Sequence, residues 1–233
     1  MKKIFIIAAM AVAGITTANA QEFKVGAKAG FLMSNVSVNS SSYIEAGKLI
    51  TSKLNTAFRP GFHFGAFIEY GFNEKIWVEA GVDYAFQGAK LKSVEATVIN
   101  VSDGSLFASE KANIKNGWLK TQQFNIPLWV KYDISGFRPK VGVNLGFLSK
   151  VKGNLEIEGG SAVENKSLTP DKKFDFGLGF GAEYNLPMGL FFDATFNLGL
   201  TKLSTKEKNN DGTYSEGGKF KNRVFQIGVG YKF

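Results

Sequence analysis

The sequence contains no cysteine, one histidine and only five prolines among 233 residues, and these scarcities narrow what it can do. Without cysteine there is no disulfide framework, no thiolate metal site and no lipid-attachment residue. A single imidazole, His63, leaves a metal centre short of its usual ligands. It also leaves acid–base catalysis with one candidate, and no motif places a serine or a second acid for it. No apolar stretch free of charge and glycine reaches the ~20 residues that a membrane-spanning helix needs. No cluster of Lys and Arg interleaves with aromatics as a nucleic-acid groove requires.

What the chain does hold is phenylalanine (22) and glycine (27) in abundance. Its N-terminus reads as an export signal. Lys2 and Lys3 are followed by an apolar stretch from Ile4 to Ile15, and Ala18-Asn19-Ala20 offers the small-x-small pattern cut by signal peptidase. Residues 1–20 are expected to be removed, leaving residues 21–233 as one domain; a retained N-terminal anchor is the alternative. Loss of the two lysines takes the formal charge from +8 to +6, a modest surplus spread along the chain.

The dominant pattern is period two, which in a strand sends alternate residues to opposite faces. Phe174, Phe176, Leu178, Phe180, Ala182 and Tyr184 oppose Asp175, Gly177, Gly179, Gly181 and Glu183. Comparable segments begin at Phe23, Phe58, Ile76, Trp118, Val141, Leu190 and Phe225, which makes eight. The connections alternate between short (73–75, 133–137, 185–188) and long (34–57, 89–117, 151–172, 202–221). Apolar-out, polar-in strands with tight turns at one end and long loops at the other describe an outer-membrane barrel. The expected fold is all-β, an eight-stranded antiparallel transmembrane up-and-down β-barrel, with termini in the periplasm of a Gram-negative bacterium. A lipocalin-like barrel would hide its bulky face inside, and a β-sandwich would not explain the short-long alternation. Past Phe147 the alternation continues through Val151, Leu155 and Ile157, so some strands are expected to form a rim. Pro127 lies within a strand and is expected to mark a bulge.

Phase assigns the interior. Lys24, Lys28, Arg59, Lys131, Lys140 and Lys232 face Glu69, Glu79, Asp83, Asp175, Glu183 and Asp193, a balanced set read as an internal salt-bridge network. An ion or proton path is the competing reading. Phe67, Trp77, Trp129 and Phe191 also point inward near the short turns and are expected to form an apolar floor. On the last strand Phe225, Ile227, Val229, Tyr231 and Phe233 point outward, and an aromatic final residue resembles the signal read by the barrel assembly machinery. Gly177, Gly179 and Gly181 could be mistaken for a nucleotide loop, but no helix follows them.

Three stretches carry a family resemblance: Phe124-Asn125-Ile126-Pro127-Leu128-Trp129-Val130-Lys131-Tyr132, Arg138-Pro139-Lys140-Val141-Gly142, and Asp175 to Tyr184. The chain resembles the small outer-membrane β-barrel family often labelled PorT-like (outer membrane protein beta-barrel domain). The resemblance implies the barrel fold, held among outer-membrane lipid and lipopolysaccharide, and little about activity. The single His and the absence of Cys point to a non-enzymatic barrel without cofactor or metal, whose long loops are expected to serve a structural or interaction role. As an alternative, the resemblance implies an accessory of a secretion or envelope-assembly complex, with a surface or secretion-complex protein as partner and no nucleic acid.

Overall fold

The computed structural model describes residues 22–38, 40–160, 162–208 and 214–233; the cleavage site at Ala18 and Ala20 lies outside them. Thirteen strands follow in order: β1 (Glu22–Val38), β2 (Ser41–Glu45), β3 (Lys48–Ala57), β4 (Arg59–Gly71), β5 (Ile76–Asn100), β6 (Leu106–Asn113), β7 (Trp118–Tyr132), β8 (Phe137–Glu156), β9 (Ala162–Pro170), β10 (Phe174–Asn185), β11 (Leu190–Gly199), β12 (Leu203–Lys208) and β13 (Tyr214–Lys232).

Eight of them close a ring. β1 pairs with β4, β4 with β5, β5 with β7 and β7 with β8. β8 then pairs with β10, β10 with β11, β11 with β13, and β13 returns to β1. Every pairing is antiparallel. A closed ring leaves no unpaired edge, the condition for a sheet to live in hydrocarbon, where a free N–H or C=O costs several kcal/mol. Around its middle the ring shows a belt of exposed apolar side chains, among them Phe64, Phe124, Val141, Phe180, Phe192 and Ile227.

The connections expected as long loops are strands. β3 runs into β4 and β9 into β10, so the chain climbs well above the belt before turning back. β2 and β3 form a hairpin whose two turn residues, Ala46 (φ 49°) and Gly47 (φ 73°), are both left-handed, the conformation a two-residue hairpin requires. β12 bridges β9 and β13, and β6 adds to the upper part of β5. Together these pieces form a rim at the end opposite the short turns.

In the rim the polarity of the two faces reverses. Lys90, Lys92, Lys120, Lys150 and Lys152 are exposed on the outside, while Val36, Ala89, Leu148, Val151, Leu203 and Phe220 pack together within. Water surrounds the rim, so apolar groups gain by turning inward. Val151 corrects the expectation that the outward phase carries past Phe147: it is 2% exposed and inward. The register of β7 against β8 shifts between Gln122 and Gln123, opposite Lys150 and Leu148. This bulge, with two residues facing one, exchanges the faces of everything beyond it on β8. Pro127 does not mark a bulge. The pairing of β5 with β7 skips it and Ile126, then resumes from Ala80↔Leu128 to Asp83↔Asn125 in the same register.

Candidate functional site

The side chains worth scrutiny line the interior, and they fall into three layers. Nearest the short turns is an ion network centred on Lys131, which is 1% exposed. Its ammonium donates to Glu69 Oε2 at 2.6 Å and Glu183 Oε2 at 2.6 Å, and lies 2.5 Å from Glu79 Oε2. Lys28 joins Glu79 at 3.0 Å. Lys232 donates to Glu183 Oε1 at 2.6 Å and to Glu69 Oε2 at 3.0 Å. Lys140 pairs with Asp193. The oxygens of Glu69, Glu79 and Glu183 lie within 4.8 Å of one another, close enough for a metal ion. The Lys131 ammonium fills the place such an ion would take.

Arg138, not assigned by sequence phase, completes the network: Nη1 donates to Glu69 Oε1 at 2.6 Å and Nε pairs with Asp133 in the β7–β8 turn. It stands two residues before Lys140 on the same face, so its phase was available. Burial works against a charge at Asp133; the Gly136 amide and the Arg138 guanidinium outweigh it and hold that carboxyl below the ordinary range.

Two members of the expected set stand apart. Lys24 stands opposite Glu69, but its ammonium pairs with Glu22 at 2.8 Å and lies 5.0 Å from the Trp77 ring, with 27% of its side chain exposed. Arg59 sits at the junction of β3 and β4, half-buried; among the described residues no carboxylate pairs with it.

The aromatic floor also needs correction. Phe67, Trp77, Trp129 and Phe191 are buried inside and Phe67 meets Phe191 edge to face at 5.6 Å, but each of the four rings also faces a cation, so the layer is not purely apolar. Lys131 lies 5.6 Å from the Phe67 centroid, Lys140 4.8 Å from Trp129, Lys232 5.0 Å from Phe191 and Arg138 4.3 Å from Trp77, within reach of the ring quadrupole. Glycines make the room. A Cβ at Gly26 would come within 2.3 Å of the Phe67 ring, and one at Gly230 within 2.3 Å of Phe191.

The middle layer is amide-rich. Asp175, expected to face a cation, instead accepts from Asn222 Nδ2 at 2.8 Å, Gln123 Nε2 at 3.2 Å and Thr201 Oγ1 at 3.2 Å. Asp83 lies 2.9 Å from His63 Nδ1 and accepts from Asn125 at 3.5 Å. The space left between these groups is about 30 Å³, room for a water or two. Above it Leu32, Ala85 and Val224 begin the apolar layer.

The sequence matches the family described as Outer membrane protein beta-barrel domain over residues 5–233. The chain belongs to that family. The match is to the general barrel domain and carries no PorT-specific role. This outer-membrane barrel is also similar to solved structures of small outer-membrane proteins. Neisserial surface protein A is 15% identical, with 92% of this chain and 100% of that one covered and a TM-score of 0.43. OprG from Pseudomonas aeruginosa is 15% identical, covering 92% and 97%, with a TM-score of 0.45. A major outer membrane protein from Thermus thermophilus is 16% identical, covering 92% and 100%, with a TM-score of 0.47. No curated protein matches the chain.

Proposed function

We propose that this protein is a non-enzymatic barrel whose long hairpins face outward from the cell and recognise another surface component. Residues 1–20 are removed on export, and the short turns and both termini face the periplasm. Outer-membrane lipid and lipopolysaccharide surround the belt. The assembly machinery reads Phe225, Ile227, Val229, Tyr231 and Phe233.

The observation that carries the recognition reading is an apolar row on the projecting hairpins. Ile44 pairs with Leu49, Leu49 with Ile99 and Ile99 with Leu106; Ile44 is 66% exposed and Leu106 65%, with Tyr43 and Phe107 exposed beside them. Water-exposed apolar rows of this kind mark contact sites more often than free surface. The ion network and the amide layer support a structural interior over an ion path, as expected of an eight-stranded barrel filled by its side chains.

A photo-crosslinking residue at Ile44 or Leu106 is expected to give discrete adducts in intact outer membrane, and smeared or absent adducts would count against recognition there. A stoichiometric envelope protein among the adducts would instead point to the accessory role. In planar bilayers the protein is expected to give no stable conductance.

A further inference from the structure

Above the apolar layer the interior opens into a cup of about 310 Å³, at the lower end of the size range of small-molecule sites. Every one of the eight strand lines contributes to it. Leu54, Leu91, Leu119, Leu168 and Phe220 supply an almost wholly apolar wall, and Lys166, paired with Gly153 on the inward face, stands in its lining. Val36, which is buried, is part of its base. Below lie the packed side chains of Leu32, Ala85 and Val224 and then the polar layer with its 30 Å³ of space, so the cup is a dead end.

Water held against such a wall finds few polar partners, and hydrocarbon replacing it gains the full hydrophobic term. The charge around the mouth selects the other end of the ligand. The four segments that build the rim (34–58, 88–122, 149–173 and 200–224) hold eighteen Lys and Arg against eleven Asp and Glu. The remaining mature sequence is close to neutral. An apolar well beneath a cationic mouth complements a molecule with a hydrocarbon tail and a negative head.

We propose that the mouth of this barrel binds the hydrocarbon chain of a single-chain anionic amphiphile, a fatty-acid-like molecule, with its tail against Leu119 and Leu168 and its head toward Lys166. This deepens the recognition reading by naming a ligand class for the rim. It rests on the wall of the cup and not on the apolar row at the hairpin tips.

A tryptophan introduced at Leu91, on the inward face of the wall, supplies the readout. With the full-length mature protein in lipid nanodiscs, 11-bromoundecanoate is expected to quench the indole of Leu91→Trp saturably. That saturable part should be absent from the protein without Leu91→Trp. Gly153 offers a way to fill the cup: it lines the wall, and a Cβ built there meets only Leu168 Cδ1, at 3.6 Å. Gly153→Leu is expected to weaken binding at least tenfold; should it not fold, as judged by heat-dependent gel mobility, Leu54→Phe serves instead. Lys166→Glu is expected to weaken the acid threefold or more and leave 11-bromoundecanol unchanged. Quenching that rises linearly with lipid partitioning, or is indifferent to the filled cup, overturns the proposal. Equal binding of acid and alcohol overturns its anionic part. Failure of crosslinking at Ile44 would sink the tip-recognition reading and leave these results intact.

Discussion

The belt and the rim are built from the same eight strand lines, yet they are solvated in opposite senses. In the belt Phe225, Ile227 and Val229 of β13 point outward and Gln226, Gly228 and Gly230 inward. A few residues earlier on the same strand Lys221 and Arg223 point outward, and Phe220 and Val224 inward. The backbone phase never changes along this stretch; the chemistry placed on it does. Hydrocarbon outside demands apolar side chains and lets the interior be polar, provided each buried charge is paired. Water outside demands the reverse. The boundary between the two therefore marks, residue by residue, where the protein leaves the membrane.

Substitutions can break that contrast, and the largest effect is expected in the belt interior. Lys131→Met leaves Glu69, Glu79 and Glu183 packed together without their central cation. Loss of one partner from a buried ion cluster costs about 3–5 kcal/mol, readable as a lower urea midpoint for unfolding from liposomes. A destabilisation under about 1 kcal/mol would mean that the carboxylates find other partners. In the rim interior the sensitive quantity is apolar volume. Leu203, fully buried, is expected to lose about 2–5 kcal/mol on Leu203→Ala, seen first as faster amide exchange in β12. On the outer surface, Ile227→Arg is expected to cost about 2–4 kcal/mol, the penalty for a cation on the lipid face near mid-membrane. Arg223→Ala, four residues away in the same phase, is expected to stay within about 0.5 kcal/mol, as for a solvated surface site. Equal costs at the two positions would erase the boundary drawn between them. The smallest test that still reports on the interior is Gly26→Ala, which drives a methyl into the Phe67 ring. It is expected to cost about 1–3 kcal/mol by overpacking, relieved in part by Phe67→Leu.

The same contrast explains what the sequence showed and what it hid. β7 was legible from Trp118 to Tyr132, because lipid outside and polar groups inside give a clean alternation. β5 was read only to Phe86, because beyond it Lys90 and Lys92 take the outward places and an eye set for apolar-out strands sees a loop. Val151 followed the expected alternation on paper and lies on the other face in space, since a bulge adds a residue without any marker in composition. In the interior, phase put Lys28, Lys131, Lys140 and Lys232 on the same side as Glu69, Glu79, Glu183 and Asp193, and the fold joins them. Phase could not say at what height Arg59 sits, nor that Lys24, level with Glu69, would turn to Glu22, so both were grouped with a network they do not join. Nor could it say that Asp175 would find amides instead of a cation. The cup was invisible for a related reason: Leu54, Leu91 and Leu168 lie in segments that read as loops and Leu119 at the start of a strand, and only ring closure brings them together.

One measurement addresses the reversal directly. Nitroxide labels placed singly at residues 219 to 231 of β13 report collision with oxygen, which concentrates in hydrocarbon, and with a water-soluble nickel chelate. Labels at 225, 227, 229 and 231 are expected to meet oxygen, and those at 219, 221 and 223 the chelate. Oxygen-dominated collisions continuing through 223, 221 and 219, or chelate reaching 227 and 229, would contradict the boundary and with it this view of the molecule.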